Sequence, residues 1–357
     1  MATGSVYCGR VTEARDRRPE RQFDEGGPTL LDLGEAELLR SLTAIAREVA
    51  PGLVVGAGDD AAIWAPEAGR EVAISQDAVV EGVDFRRPWI TPRRLGARAL
   101  AIALSDLAGM GARPAWCAAT LCAPPGTCAD DVMEIQRGLC EAAVAAGCVV
   151  AGGDVSAIDG PLVIDVSVGG TLAPGAALRR DRGAPGDVVI VTGMLGRAAA
   201  GLRLLLDGGD DLSVQEQAWV EAQRSPVARI AEGLRLVAAG VRCGGDISDG
   251  LLVEMERITD MSGCAAEIWL DRVPVEAALV SDFGAAWPEL AIGAGEDFEL
   301  VATVPEAELG ALLAGWPSDL APLAVAGRLR SGSGVTVLDR EGGAVVETPR
   351  ATSRHFA

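Results

Sequence analysis

Carboxylates recur beside glycines along this chain. Gly56-Ala57-Gly58-Asp59-Asp60 closes a glycine turn on two aspartates, and Ser75-Gln76-Asp77 follows a strand-like run. Leu104-Ser105-Asp106-Leu107 sets an acid inside an apolar helix, and Gly152-Gly153-Asp154 follows a second strand. Gly244-Gly245-Asp246-Ile247-Ser248-Asp249-Gly250 reads as a glycine loop closing on two acids at a helix start, and Gly295-Glu296-Asp297 adds one more site. Taken singly each is ordinary, because Gly-Asp pairs make turns and Asp caps helices. Asp106 is the sharper oddity. An acid among Ala101, Ile102, Leu104, Leu107 and Met110 needs an arginine, a backbone donor or a metal as partner. Several carboxylates converging on one cleft repel unless cations fill it. Mg²⁺ is the natural candidate, since it takes hard oxygen ligands and shares them with substrate phosphates. Glycine-loop amides and arginines can complete such a site. The pattern reads as a metal-bridged nucleotide or phosphate site.

Composition narrows the chemistry. The chain of 357 residues has no lysine and no asparagine, so its 31 basic residues are all arginine. That excludes a P-loop lysine, a Schiff-base lysine and the protein-kinase Lys/Asn set. The single histidine, His355, lies in the last three residues, so histidine-clustered zinc sites are excluded. A net charge of −20 argues against nucleic acid and against an anionic membrane surface. The longest stretch without a charge, Pro114–Ala129, contains Pro124 and Pro125 and does not span a bilayer. The eight cysteines form no CxxC and fit no zinc spacing, so free thiols in a reducing cytoplasm are expected.

The elements that must position these acids alternate between strand and helix. Helices are expected over Leu33–Ala50, Thr91–Gly111, Asp130–Ala146, Arg197–Leu206, Pro226–Ala239 and Leu251–Thr259. Strands are expected at Val54-Val55, Glu71–Ser75, Trp116–Leu121, Val149-Val150, Leu162–Val168, Val188–Thr192, Leu300–Val304 and Val335–Leu338. The class is α/β or α+β. Residues 1–28, arginine-rich and without an apolar core segment, read as a disordered tail. The Gly/Pro/Arg-rich stretch Gly175–Asp187 divides a domain over 29–175 from another over 176–357.

The ordered set GAGDDAA (56–62), ISQDAVVEGVDF (74–85), ALAIALSDLAGMGARPAW (99–116), GGDVS (152–156), PGDVVIVTGMLGRAAAGL (185–202), GGDISDGL (244–251) and GEDFEL (295–300) resembles the thiamine-monophosphate kinase family. That family belongs to the ATP-binding superfamily of aminoimidazole ribonucleotide synthetase. The match runs from about Leu33 to Phe356. The resemblance implies a two-domain fold whose N-terminal domains pair into a dimeric β-barrel, with ATP between the domains and several Mg²⁺ ions. It places Asp59, Asp77, Asp106, Asp154, Asp246 and Asp249 at metal positions. Asp59, Gly153, Asp154, Arg180 and Ser248 fall at nucleotide positions, and Glu296 at a substrate-side position. No residue is left for a covalent nucleophile, so transfer is expected in line.

The acceptor half departs from the family pattern. The family's EGVHF is Glu81-Gly82-Val83-Asp84-Phe85 here, so an aspartate stands where a histidine contacts substrate. A metal-contacting threonine is Gln76, and Ser353 stands where an aromatic residue often stacks on the acceptor. Trp89 or Phe85 offers a replacement ring. The leading expectation is a cytoplasmic, homodimeric, Mg²⁺- and ATP-dependent transferase making thiamine diphosphate. The alternatives are a related kinase on another small phosphorylated acceptor and a nucleotide-binding regulator without catalysis. Selenophosphate synthetase and the carbamoyl-dehydrating hydrogenase-maturation relative fit less well, since the first lacks its lysine and the second its C-terminal cysteine.

Overall fold

A computed structural model describes residues 21–24, 26–48, 52–57, 61–208 and 211–347. Its first half is built on a four-stranded sheet of order β1-β4-β2-β3, with β1 Glu71–Val80, β2 Arg113–Ala123, β3 Val149–Ala157 and β4 Val163–Leu172. β1 and β2 both pair antiparallel to β4, and β2 pairs parallel to β3. Helices cover one face: α1 Leu30–Leu33, α2 Glu35–Arg47, α3 Pro92–Gly109 and α4 Ala129–Ala146. Period-two alternation on β1 turns Ala73, Ser75, Asp77 and Val79 toward α3 and leaves Val72 and Ile74 outward, 45% and 69% exposed.

α3 starts where Thr91 accepts the Arg94 N–H and Pro92 occupies the first turn. Leu95, Leu100 and Leu107 are fully buried, each contributing roughly 2 kcal/mol by area. α3 and α4 cross in backbone contact. A Cβ at Gly96 would stand 1.9 Å from the Ile135 carbonyl, and one at Gly138 1.7 Å from the Arg93 carbonyl.

The second half holds a six-stranded sheet of order β10-β7-β9-β5-β8-β6. Its strands are β5 Val188–Thr192, β6 Cys243–Ile247, β7 Ala265–Trp269, β8 Glu299–Val304, β9 Leu323–Arg330 and β10 Gly334–Leu338. β7 and β10 are parallel and the other neighbours antiparallel. Around it lie α5 Arg197–Asp207, α6 Val214–Arg224, α7 Ile230–Ala238, α8 Leu251–Ser262, α9 Ala277–Phe283 and α10 Glu306–Ala314. Every residue of β5, β6 and β8 is buried, and among their apolar and glycine residues β6 carries Asp246 and β8 carries Glu299.

The end of α3 meets this second half without intervening side chains. A Cβ on Gly109 would lie 2.8 Å from the Asp246 nitrogen, and one on Gly233 of α7 would lie 2.2 Å from the Ala108 carbonyl oxygen. Several expectations need correction. Gly244–Asp246 lie in β6 and Gly152–Asp154 inside β3. These glycines serve close packing as well as any turn. Cβ atoms at Gly244 and Gly153 would stand 2.6 Å from the Val301 oxygen and 1.9 Å from the Ala119 oxygen. The helix expected from Pro226 begins at Ile230. None of the helices among the described residues is long and apolar enough to cross a membrane.

Candidate active site

Three acids from three elements converge at the junction: Asp77 from β1, Asp106 from α3 and Asp246 from β6. The Ser75 hydroxyl donates to Asp106 Oδ2 in a short hydrogen bond, and Ser105 Oγ donates to Asp246 Oδ2 at 2.7 Å. A hydroxyl therefore holds Asp106, in place of the arginine, backbone donor or metal that its apolar setting suggests. Burial, then the neighbouring Asp106 carboxylate, pushes Asp77 up to about 7. Burial and Asp106 likewise push Asp246 up to about 6, against the Ser105 hydrogen bond and Arg180. The cluster carries more negative charge than its surroundings offset.

Arg180 lies beside it and is bound by Glu254 of α8 through contacts of 2.5 and 3.0 Å. Glu254 is 1% exposed on its side chain and also takes Arg257 at 3.3 Å. Arg257 in turn holds Asp249 at 2.5 Å, so Asp249 is engaged by arginine rather than drawn into the three-carboxylate group. The loop bearing Ser248 and Asp249 is stitched to the loop bearing Glu296. The Glu296 N–H donates to the Ser248 carbonyl at 2.8 Å and the Phe298 N–H to the Ile247 carbonyl at 3.1 Å. Glu296 and Phe298 hold left-handed backbone, φ 71° and 50°, a cost concentrated where two site loops meet.

Two cavities stand out, one within the first half and one beside the Glu296 loop. One of about 310 Å³ is lined by Leu39, Thr43, Ala57, Ala62, Gly153 and Asp154, among others. Asp154 and Gly153 thus line a cavity away from the carboxylate cluster. Register sets Asp154 in line with Thr120, Asp165 and Ala78, so about 14 Å of sheet separates it from β1. The second cavity, about 290 Å³, is lined by Met194, Arg197, Glu221, Arg229, Glu296 and Glu299 among others. Its floor is acidic. Asp297 accepts the Gly196 and Ala198 N–H groups at the start of α5, and burial pushes it up to about 7. Glu299 is matched by Arg229 at 2.5 and 2.8 Å and by the Thr192 hydroxyl at 2.6 Å.

Asp84 is spent locally: its Oδ2 accepts the Val80 N–H at 2.8 Å and closes the turn after β1. Arg86 stacks on Trp89 at 4.6 Å, and Arg87 pairs with Glu81 at 2.7 Å and lies over Phe23. Phe85 is 4% exposed within the core, so it offers no ring to a ligand. Asp59, Ser353 and His355 lie outside the described residues.

The chain matches the AIR synthase related protein N-terminal domain over residues 58–172 and the C-terminal domain of the same family over 184–339. It is 33% identical over 280 residues to the thiamine-monophosphate kinase of Bacillus subtilis, covering 77% of this chain and 85% of that one. The chain belongs to the thiamine-monophosphate kinase family. The Salmonella typhimurium enzyme is 36% identical over 275 residues, 72% of this chain and 78% of that one. Among solved structures, thiamine-monophosphate kinase from Stenotrophomonas maltophilia superposes with TM-score 0.76 at 34% identity, over 84% of this chain and 95% of its own. AaThiL complexed with AMPPCP and TMP superposes with TM-score 0.71 at 28% identity, over 89% and 96%. Hydrogenase maturation protein HypE of E. coli, 20% identical with TM-score 0.72 over 90% and 98%, shares the fold.

For this member of the family, several site residues escaped the sequence reading: Ser75, Ser105, Glu254, Arg257, Arg98 and Gln223. Ser75 and Ser105 stand within one or two residues of Asp77 and Asp106. Arg98 precedes Ser105 by seven positions and so shares its helix face, a signal present in the sequence.

Proposed function

We propose that this chain transfers the γ-phosphoryl group of ATP to thiamine monophosphate, giving thiamine diphosphate, across the junction of a domain over 29–175 and one over 176–357. The observation that carries the reading is the Asp77, Asp106 and Asp246 cluster, where both halves of the chain meet and burial with mutual repulsion raises Asp77 and Asp246 despite Arg180 beside them. Among the described residues no three Cys, His, Asp or Glu side chains are drawn together closely enough to hold a metal ion on their own. Carboxylates that leave coordination sites for substrate phosphates suit Mg²⁺, so the donor set fits that ion. Asp77, Asp106 and Asp246 would hold it, with Asp59, Asp154 and Asp249 as further family positions. Bound there, Mg²⁺ supplies neutralisation of phosphate charge.

The chain's own residues do the rest. Ser75 and Ser105 fix the rotamers of Asp106 and Asp246. Arg180, oriented by Glu254, aims a guanidinium at the cluster edge, where it can meet a phosphate oxygen. The alanine-lined cavity beside Gly153 and Asp154 suits a purine base, and Ser248 flanks the phosphates. The acidic cavity around Glu296 suits an acceptor with a cationic ring. Its phosphate is already anionic, so in-line attack needs no strong general base and no covalent nucleophile.

The outward face of β1, with Val72 and Ile74 uncovered, supports pairing of two N-terminal domains into a barrel and hence a homodimer. The free cysteines among the described residues, six of the seven buried, suit a reducing cytoplasm. A second reading, the same transfer onto another small phosphorylated acceptor, is favoured by Asp84. That side chain closes a turn and supplies no cationic donor where the family has histidine. The test is to incubate pure protein with Mg-ATP and a panel of phosphate monoesters and follow ADP and product. ADP formation dependent on thiamine monophosphate is expected. ADP formation only with another acceptor decides for the second reading.

A further inference from the structure

Arg98 precedes Ser105 by seven residues on α3, so both side chains leave one helix face about 10.5 Å apart. Ser105 reaches Asp246. Arg98, 2% exposed, divides its guanidinium between Glu296 Oε1 and the Gln223 carbonyl oxygen. Gln223 of α6, also buried, donates from Nε2 to Glu296 Oε2 at 2.5 Å. Both oxygens of Glu296 are gripped from the interior, while its side chain keeps 30% exposure toward the acidic cavity. The grip persists on left-handed backbone, which the Glu296 N–H bond to Ser248 secures.

We propose that Arg98 and Gln223 are positioning residues that hold Glu296 in its acceptor-binding orientation, so that α3 sets the span between the acceptor side and Asp246. This rests on the reading of Glu296 as an acceptor-side group. A carboxylate hinged on a loop loses rotamer freedom when it binds a ligand, and two buried donors remove that cost beforehand. Arg98 also offsets the Glu296 charge, so the carboxylate recognises its ligand through the direction of its remaining lone pairs more than through net attraction.

The experiment measures kcat and KM for thiamine monophosphate and ATP in Arg98→Met, Gln223→Leu, Glu296→Gln and the double variant Arg98→Met/Glu296→Gln. Mg-AMPPCP binding is followed by calorimetry. Loss of one hydrogen bond to a charged group predicts a rise of roughly 10- to 100-fold in acceptor KM for Arg98→Met and Gln223→Leu. Nucleotide affinity should stay within about twofold. In the Glu296→Gln background, Arg98→Met should add less than about twofold, because the two act as one unit. The proposal is overturned if Glu296→Gln raises the acceptor KM while Arg98→Met and Gln223→Leu leave it unchanged, or if the effects multiply in the double variant. If Glu296→Gln itself leaves acceptor KM unchanged, the acceptor-side reading fails and the proposal falls with it. Should Arg98→Met not fold, Gln223→Leu carries the same test.

Discussion

Replacing Asp246 with Asn should make the metal-free protein more stable and nearly inactive. Asp246 is 3% exposed and accepts the Ser105 hydroxyl at 2.7 Å, a bond that the Asn carbonyl oxygen can also accept. What Asn removes is charge. Burial and the Asp106 carboxylate raise Asp246 from 3.8 to about 6, which at 1.36 kcal/mol per pH unit corresponds to about 3 kcal/mol. The folded value lies above the unfolded one. Between roughly pH 4 and 6 the folded protein therefore keeps a proton that the unfolded chain has released, and stability falls as pH rises through that window. Above it the whole cost stands. In EDTA at pH 7.5, Asp246→Asn should exceed the natural protein by about 2–3 kcal/mol in urea unfolding, with a melting point several degrees higher. At pH 4 the two should coincide. On the proposed reading, in which Asp246 helps to hold the cation that carries ATP, turnover should fall by orders of magnitude. Mg²⁺ with AMPPCP should raise the melting point of the natural protein much more than that of the variant. A variant less stable than the natural protein at pH 7.5 in EDTA, or an advantage that does not shrink on acidification, refutes the reasoning.

Three further outcomes are expected. Incubation with γ-labelled ATP alone should leave no labelled protein after denaturing gel separation; a stable phosphoenzyme would show that a side chain takes the phosphoryl group. Sedimentation should give a dimer of the 36.6 kDa chain, and Ile74→Glu on the exposed face of β1 should dissociate it; a natural protein that is monomeric at micromolar concentration contradicts the barrel pairing. Asp84→Ala should cost about 1 kcal/mol of stability, for the lost Val80 hydrogen bond, with acceptor KM nearly unchanged; a tenfold rise in KM at unchanged stability would place Asp84 in the acceptor pocket.

Much of the framework was legible because its signals are local. Thr91-Pro92 starts α3 and Gly147, in left-handed backbone, stops α4, as punctuation rules require. Three local signals marked the bearers of the converging acids: Asp77 after the strand-like run of β1, Asp106 inside the apolar helix α3, and Asp246 behind the glycine pair of β6. Other parts depend on contacts distant in sequence. β7, Ala265–Trp269, is short and lacks clean alternation, so only its pairing with β9 and β10 defines it. The Gly244-Gly245 pair reads as a turn until Val301 and Glu254 are seen pressed against it. The use of Asp84 was equally hidden, since a substituted motif residue shows which group changed and not which neighbour claims it.

The bare contact where α3 ends against β6 makes glycine a spacer of zero thickness. A methyl group at 109 would stand 2.8 Å from the Asp246 nitrogen and 3.3 Å from its Cβ. To admit it, the strand bearing Asp246 must withdraw from the helix bearing Asp106 by some tenths of an ångström. Position 109 is thus a shim slot: inserting one carbon adjusts the gap between two carboxylates without touching either. Alanine there measures how sharply phosphoryl transfer depends on that separation.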